Sequence, residues 1–165
     1  MTDVGTNFSV GCVDEEYWHA TEPGTPSPQR RLDAVRKLNE AGIPCGVLMA
    51  PIIPFISDTD EMMERTVRAI AQSGATHISP IVLHLRKGGA REWWMRWLAE
   101  HHPELVNPYR ELYGDRAYAP KEFQNQVADR VRALSRRFGV GRNATPRQAR
   151  RIREAVPEPE QLPLI

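Results

Sequence analysis

The residues best suited to metal or redox chemistry are two cysteines, Cys12 and Cys45, which lie 33 positions apart. They form no CxxC pair and no Cys/His spacing typical of zinc. An iron–sulfur cluster needs several thiolates converging on iron, so these two thiols predict no metal site and no catalytic residue. The first residues, MTDVGTNFSV, do not resemble a secretory signal. We therefore expect a cytoplasmic chain with both thiols reduced and buried.

A cationic cluster follows an apolar run near the middle of the chain. Arg86, Lys87 and Arg91 are close in sequence, and together they are suited to binding an anionic substrate. The alternative is an ordinary solvated surface. His84 lies just before them, and a lone histidine in a strand is more often structural than catalytic.

Three tryptophans, Trp93, Trp94 and Trp97, lie in the predicted helix that follows. Trp93 and Trp97 are four positions apart, so they should share one face of that helix. Aromatic rings beside arginines can stack on bases. Packing against the body of the protein is the commoner role, and we expect it here.

The C-terminal region is rich in arginine. Nine arginines fall within residues 130–153, with Asp129 and Glu154 as the nearest acids. This density is the electrostatic footprint of a nucleic-acid contact, although a solvated helix face would look similar. The last five residues, QLPLI at 161–165, resemble peptides that bind the bacterial sliding clamp, with a frayed terminus as the alternative.

The elements that position these residues alternate in the first half of the chain. Apolar runs predict strands at residues 8–13, 43–53 and 76–85. Ser27 and Pro28 are suited to starting a helix that ends at Gly42, and a second helix should run from Asp58 or Thr59 to Gly74. The result is a βαβαβ unit with parallel strands, and the apolar run at 43–53 predicts burial on both faces.

The second half contains no further strand candidate. A short helix is expected at DEEYW near residue 14, and helices are expected at 89–102 and 120–138, with helix or turn at 103–114. With 165 residues, 41% of them hydrophobic and 26% charged, the chain has the composition of one globular domain, and no apolar run is long enough to span a membrane. We divide it into a partial barrel (1–88), a helical extension (89–139) and a basic, proline-containing tail (140–165).

Two long segments carry a family resemblance. They are TEPGTPSPQRRLDAVRKLNEAGIPCGVLMAPIIPFISD, residues 21–58, and ISPIVLHLRKGGAREWWMRWLAEHHPELVNPYRELYG, residues 78–114. Both resemble radical S-adenosylmethionine proteins of the spore-photoproduct-lyase-like, DNA repair photolyase group. The resemblance implies a partial barrel of six βα units, of which this α/β chain would contain the last three parallel strands, followed by C-terminal helices.

The same resemblance implies a [4Fe–4S] cluster held by a CxxxCxxC loop, and S-adenosylmethionine bound across the strand ends. It places Ser9, Glu22 and Arg31 near the polar parts of that cofactor, and the strand end formed by Ala50, Pro51 and Ile52 near its adenine. The alternatives are a plain strand serine, a surface acid and arginine, and ordinary core residues. The chain departs from the family because it contains no CxxxCxxC motif.

Two functional hypotheses follow. In the first, the chain is the C-terminal portion of a radical S-adenosylmethionine protein, for which the resemblance implies nucleic-acid repair, and it is inactive alone because it lacks the cluster ligands. In the second, it is a non-enzymatic α/β module whose basic tail binds nucleic acid or a partner protein. Neither hypothesis involves a membrane.

Overall fold

The secondary structure follows the predicted alternation. A computed structural model describes residues 5–141 of the chain, and the predictions for residues 142–165, including the clamp-like peptide, lie outside that range. Within it are a 3-10 helix at Pro103–Leu105 and nine longer elements: β1 (Thr6–Ser9), α1 (Glu15–Thr21), α2 (Pro28–Glu40), β2 (Cys45–Ile52), α3 (Asp60–Gln72), β3 (Ile78–Val82), α4 (Ala90–His101), α5 (Val106–Tyr113) and α6 (Lys121–Phe138).

The three strands form one parallel sheet in the order β1-β2-β3, so the α/β class with parallel strands is confirmed. All three strands are shorter than predicted. The ladder between β1 and β2 ends with the bond from Val10 N to Leu48 O, and the residues predicted to extend β1 to Val13 instead lead into α1. Apolar residues beyond the strand ends had made the runs look longer, because burial alone does not distinguish a strand from a packed loop.

Three of the six helices among residues 5–141 begin with a side-chain cap. Ser27 Oγ accepts a hydrogen bond from Arg30 N, and Pro28 occupies the first turn of α2. Thr59 caps α3 by accepting from Met62 N, and Asp14 caps α1 by accepting from Tyr17 N. Each cap satisfies a backbone donor that would otherwise lack a partner.

One face of the sheet packs against helices. On that face of β2, Cys45, Val47 and Met49 have no exposed surface. They belong to a core to which the helices contribute Leu32 and Val35 of α2, Met63, Val67 and Ile70 of α3, and Val127 and Val131 of α6.

The opposite face of the sheet is more open. On that face, Leu48, Ala50 and Ser79 are only half-buried, and Ile81 is 36% exposed. The expectation that the apolar run at 43–53 is buried on both faces is therefore wrong for residues 5–141. The long apolar run reflects the deep burial of one face and the small or half-covered residues of the other.

A second part of the core lies beyond the carboxyl ends of the strands. The Tyr109 hydroxyl donates to Pro54 O at 2.9 Å, and the Tyr113 hydroxyl donates to Leu83 O at 2.6 Å, so α5 is fixed over the loops that follow β2 and β3. Trp94 stacks on Trp97 with ring centroids 5.0 Å apart.

The expected pairing of Trp93 with Trp97 on the packed face is wrong. Trp93 is 49% exposed, whereas Trp94 and Trp97 are both buried. The i,i+3 spacing of Trp94 and Trp97 also places two side chains on one side of a helix, and it is this pair that faces the core.

Two of the four arginines of α6 make ion pairs with α3. Arg130 contacts Asp60 at 2.6 Å, and Arg137 contacts Glu64 at 3.1 Å. Arg132 pairs with Asp129 on its own helix. The acids Asp60 and Glu64, distant in sequence, thus balance Arg130 and Arg137 of α6.

No helix among residues 5–141 is both long and apolar enough to cross a membrane.

The side chain of His77 lies very close to the backbone of β2 at Gly46. The imidazole of His77 lies against Gly46, where an added Cβ would be 2.2 Å from His77 Cε1 and 2.4 Å from Nδ1. Burial lowers the pKa of His77, which favours the neutral ring in this position. Glycine is therefore required at position 46 while the His77 ring remains there.

We predict that Gly46→Ala lowers the free energy of unfolding by about 1–3 kcal/mol, because the new methyl group displaces the imidazole. The measurement is urea unfolding. Gly5→Ala is the matched control, because an added Cβ there meets nothing within 4 Å. In a His77→Ala background the cost of Gly46→Ala should largely disappear, and an equal cost in both backgrounds would contradict the steric explanation.

Candidate functional site

A cleft of about 160 Å3 lies at the carboxyl ends of the strands. This edge of a parallel α/β sheet is where ligands usually bind. The cleft is bounded by the segments after β1 and β2, by α1, by the start of α2 and by α4. Its lining residues are Val10, Gly11, Cys12, Tyr17, Trp18, Thr21, Glu22, Pro28, Arg31, Pro51, Ile53, Leu83, Trp93 and Trp94.

Arg31 organises the polar side of this cleft. Its Nη2 atom bonds Glu22 Oε2 at 2.6 Å and Thr25 Oγ1 at 2.8 Å, and its Nε donates to Pro26 O at 2.8 Å. Its Nη1 donates to Ser9 O at 3.0 Å. The side chain is only 12% exposed. These four contacts occupy all three guanidinium nitrogens, so Arg31 joins β1, α2 and the loop after α1 and is placed to orient Glu22.

Glu22 is the accessible carboxylate of the cleft. Its side chain is 31% exposed, and Arg31 holds Oε2. Among residues 5–141, Oε1 has no hydrogen-bond partner and can accept a bond from a ligand. Both residues line the cleft, and the arginine contacts the carboxylate rather than the open space of the cleft.

The remaining cofactor candidates are not all brought to the cleft. Pro51 lines it. Ser9 is exposed, and its carbonyl is bonded to Arg31, while Ala50 is half-buried in the sheet. Ile52 has no exposed surface, so its side chain is a core residue and cannot contact a ligand in this structure.

Gly11 is a cleft residue that the sequence analysis did not identify. A Cβ at this position would lie 2.5 Å from Pro51 O, so only glycine allows the segments after β1 and β2 to approach this closely. The sequence signal was a glycine within an apolar run, which marks a close backbone approach.

Aromatic rings form the apolar walls. Tyr17 and Trp18 come from α1, and Trp93 and Trp94 come from α4. Trp18 Nε1 donates to Thr25 Oγ1 at 2.9 Å, the same hydroxyl that Arg31 contacts, so the indole is tied to the polar network. Tyr17 and Trp18 were not singled out from sequence, because a short acidic helix does not show which side faces a cleft.

Cys12 lines the same cleft but is nearly inaccessible. It is 5% exposed, and burial raises its pKa to about 11. Burial also raises the pKa of Cys45. Both cysteines are free and buried, as expected. Because the thiolate is the reactive form, neither has the environment of a nucleophile.

The cationic cluster after β3 lies outside the cleft lining, and each member has a partner. Arg86 contacts the Tyr118 hydroxyl at 3.2 Å, and Lys87 contacts Asp115 at 3.3 Å. Arg91 donates to Arg116 O at 3.2 Å and to Gly114 O, so it fastens α4 to the loop before α6. Arg86 and Lys87 remain exposed. His84, the other residue noted there, packs against Tyr118 with centroids 5.3 Å apart.

The residues of the cleft fit part of S-adenosylmethionine, one of the two expected cofactors. They do not fit the other, an iron–sulfur cluster. Aromatic walls beside a carboxylate with an open oxygen are suited to a purine and its ribose hydroxyls. A [4Fe–4S] cluster does not fit, because the chain has two cysteines, and residues 5–141 contain no group of three potential metal ligands.

The chain is similar to uncharacterized proteins of mycobacteria. It is 38% identical over 143 residues to one from Mycobacterium tuberculosis and to one from Mycobacterium bovis. The matches cover 87% of this chain but 41% of each relative, so the chain spans less than half of their length. An uncharacterized protein of the Acidianus two-tailed virus is 32% identical over 81 residues, which are 47% of this chain and 27% of the viral protein. No family model and no solved structure matches.

We predict slow alkylation of Cys12 in the folded chain. A thiol with a pKa of about 11 is only ~0.1% thiolate at pH 8, and burial further limits access. Iodoacetamide labelling of Cys12 in a Cys45→Ala variant, followed by mass spectrometry, should be about 100-fold slower in the folded protein than in the protein unfolded by urea.

Because unfolding restores a lower pKa to the Cys12 thiol, the free energy of unfolding should fall as the pH rises from about 9 towards 11. Rapid labelling of native protein at neutral pH would contradict this prediction.

Proposed function

We propose that residues 5–141 are the carboxyl-terminal part of a partial βα barrel of the radical S-adenosylmethionine type, and that they form one wall of its nucleoside site. The supporting observation is the cleft at the strand ends, where Arg31 holds the Glu22 carboxylate beside a set of aromatic rings. The segments that resemble this family supply Glu22 and Arg31 themselves. A cytoplasmic setting is part of the proposal.

Each side of the cleft has a separate task in this proposal. Glu22 Oε1 accepts hydrogen bonds from ribose hydroxyls, while Arg31 keeps the carboxylate in place and Gly11 allows the segments after β1 and β2 to approach each other at the floor of the cleft. Trp18 and Trp93 offer flat apolar surfaces for the purine, whose stacking on an indole is favourable. S-adenosylmethionine contains both groups, and its own sulfonium would supply the reactive centre.

The proposal assigns no radical step to this chain alone. Reductive cleavage needs an electron from a cluster, and the chain lacks the thiolates to hold one. We propose that the cluster ligands belong to a part of the complete protein outside residues 5–141. The substrate would be an anionic molecule, with exposed Arg86 and Lys87 beside the end of β3 as its first contacts. Nucleic acid is the proposed class, consistent with the repair group that the chain resembles.

The ion pairs of α6 reduce the support for the rival hypothesis. A basic module would need free arginines, and three of the four in α6, Arg130, Arg132 and Arg137, each contact an acid, whereas Arg136 is exposed and makes no ion pair among residues 5–141. The arginines beyond residue 141 lie outside the described range. We therefore retain the nucleoside site as the proposed function.

We predict weak, saturable binding of S-adenosylmethionine to the chain, measured by tryptophan fluorescence and calorimetry. Glu22→Gln should weaken binding about tenfold, because it removes a charge-assisted hydrogen bond. Trp93→Ala should weaken it by about fivefold or more through loss of stacking. Glu16→Gln and Tyr118→Ala are the matched controls, since both residues are exposed and lie outside the cleft lining. Equal affinity of all four variants for S-adenosylmethionine would contradict the proposed site.

We also predict that anaerobic reconstitution with iron and sulfide leaves the chain without a stoichiometric cluster. Iron and sulfide assays should give well below the roughly four of each per chain that a [4Fe–4S] cluster requires. A Cys12→Ala variant should retain the same trace amount as the wild type, because no site is being disrupted. A stable cluster at full occupancy would overturn the assignment of the ligands to another part of the protein.

A further inference from the structure

The chain just beyond β3 forms a short antiparallel bridge with the loop before α6. His84 pairs with Tyr118, and Leu85 N donates to Ala117 O at 2.7 Å. That bond flanks the bridge, so His84 and Tyr118 are a non-hydrogen-bonded pair, the kind in which opposite side chains lie closest. Alternation sends Leu85 inward, where it is 1% exposed, and Arg86 outward with His84. Two rings and a guanidinium therefore share one outer side of the bridge.

These three side chains form one connected surface, which we call the Tyr118 platform (His84, Arg86 and Tyr118). The ring centroids of His84 and Tyr118 are 5.3 Å apart, and the ring planes are inclined by 48°. Arg86 Nη2 donates to the Tyr118 hydroxyl at 3.2 Å, which is the only hydrogen bond of the Arg86 side chain within residues 5–141. The other guanidinium N–H groups can therefore bind a ligand. All three residues are exposed, and Tyr118 is 48% exposed.

The charges around the platform favour an anion. Residues 84–92 and 114–118 together contain four cations and two acids. One acid, Asp115, lies 3.3 Å from Lys87, and both side chains are so exposed that the pair is weak and can open. The other acid, Glu92, accepts a hydrogen bond from Gly89 N at 2.6 Å, at the start of α4. Neither acid contacts Arg86.

Exposed rings beside an available guanidinium are suited to a nucleotide. Any base can stack on an aromatic ring, and a cation next to the ring neutralises the attached phosphate. The base has to be unpaired, because the bases of a duplex are already stacked on both faces. An aliphatic anion would leave the rings unused, and an uncharged aromatic ligand would leave Arg86 unused. A nucleotide of a single strand uses both.

We propose that the Tyr118 platform binds an unpaired nucleotide of a single-stranded nucleic acid, with the base on the Tyr118 and His84 rings and the phosphate at Arg86. Leu83, the residue before His84, lines the cleft, so the bound nucleotide lies next to the cleft wall. That this strand is the substrate rests on the proposed function. The platform itself rests only on its rings and charges, and it is a site separate from the nucleoside cleft.

The test uses the full chain and a short fluorescein-labelled thymidine oligonucleotide, with binding measured by fluorescence anisotropy. Tyr118→Ala should weaken binding about tenfold, because the base loses its stacking partner. Tyr118→Phe keeps the ring and should stay within about threefold of the wild type. Phe55→Ala is the matched control, because Phe55 is 41% exposed but lies against Tyr109 and Phe123 instead of the platform.

A second pair of variants tests the phosphate contact. Arg86→Gln should weaken binding by about threefold or more and reduce the slope of log affinity against log salt by roughly 0.7, the value for one phosphate contact with a single strand. Arg136→Gln removes the same charge from an exposed arginine of α6 that makes no ion pair among residues 5–141. It should stay within about twofold of the wild type.

A crosslink locates the bound base without any substitution. An oligonucleotide containing iodouracil, irradiated in complex with the wild-type chain, should crosslink to Tyr118 or His84, as identified by mass spectrometry. This measurement separates the platform from the arginine-rich residues beyond 141. Thermal unfolding establishes whether Tyr118→Ala is folded, and if it is not, the crosslink still decides the question.

Four results would overturn the proposal. The first is equal affinity of Tyr118→Ala and Phe55→Ala for the oligonucleotide, which would leave the rings to a protein partner. The second is crosslinking confined to residues 142–165. The third is tighter binding of the same oligonucleotide after it is annealed to its complement. The fourth is competition by thymidine monophosphate at the same concentration as the oligonucleotide, which would assign the site to a free nucleotide.

Binding of S-adenosylmethionine, measured on the same variants, keeps this proposal distinguishable from the proposed function. Tyr118→Ala should retain the wild-type affinity for S-adenosylmethionine, because Tyr118 lies outside the cleft lining. Oligonucleotide binding at the platform without nucleoside binding would contradict the proposed function and leave the platform in place. Nucleoside binding without oligonucleotide binding at the platform would do the reverse.

Discussion

The backbone of β2 must be satisfied on both of its edges, and this constraint determines where the other elements lie. β2 pairs in parallel with β1 on one side and with β3 on the other, while Cys45, Val47 and Met49 are fully buried against the helices. A buried backbone without partners would be costly, so both neighbours must continue in register up to the strand ends. That register brings Gly11 against Pro51 O and places the ends of all three strands at one edge, where the cleft forms.

Arg31 converts this arrangement into a polar site. Its guanidinium spans the end of β1, the loop after α1 and the Glu22 carboxylate, and it does so while nearly buried. A planar cation with several fixed donors can satisfy carbonyl and carboxylate oxygens at once, which a lysine cannot do. The consequence is a carboxylate with one oxygen held and the other available for a ligand.

The sheet has one covered face and one protected edge. Helices cover the face that carries Val47, and Pro80 together with α6 protects the outer side of β3. The open face and the β1 edge have no equivalent cover among residues 5–141. This asymmetry is consistent with the relatives, in which the matched region is less than half of a longer chain.

Local rules were sufficient for much of the secondary structure. The cap at Ser27 and the alternation of strands and helices follow from short-range spacing and were anticipated correctly, and Thr59 is the cap of α3 where the sequence left Asp58 or Thr59 open. Strand lengths were overestimated, because apolar residues after a strand end look the same whether they pair or pack.

What the amino-acid sequence determined by itself was the order of the elements, the parallel α/β class and the absence of enough cysteines for a cluster. Only the tertiary structure decided which tryptophan faces solvent, that Ile52 is buried in the core, and that α6 arginines meet acids of α3. It also brought Tyr17, Trp18 and Gly11 to the cleft. The physical reason is that spacing along a chain specifies which residues share a side of one element, whereas burial and charge pairing depend on which other element covers that side.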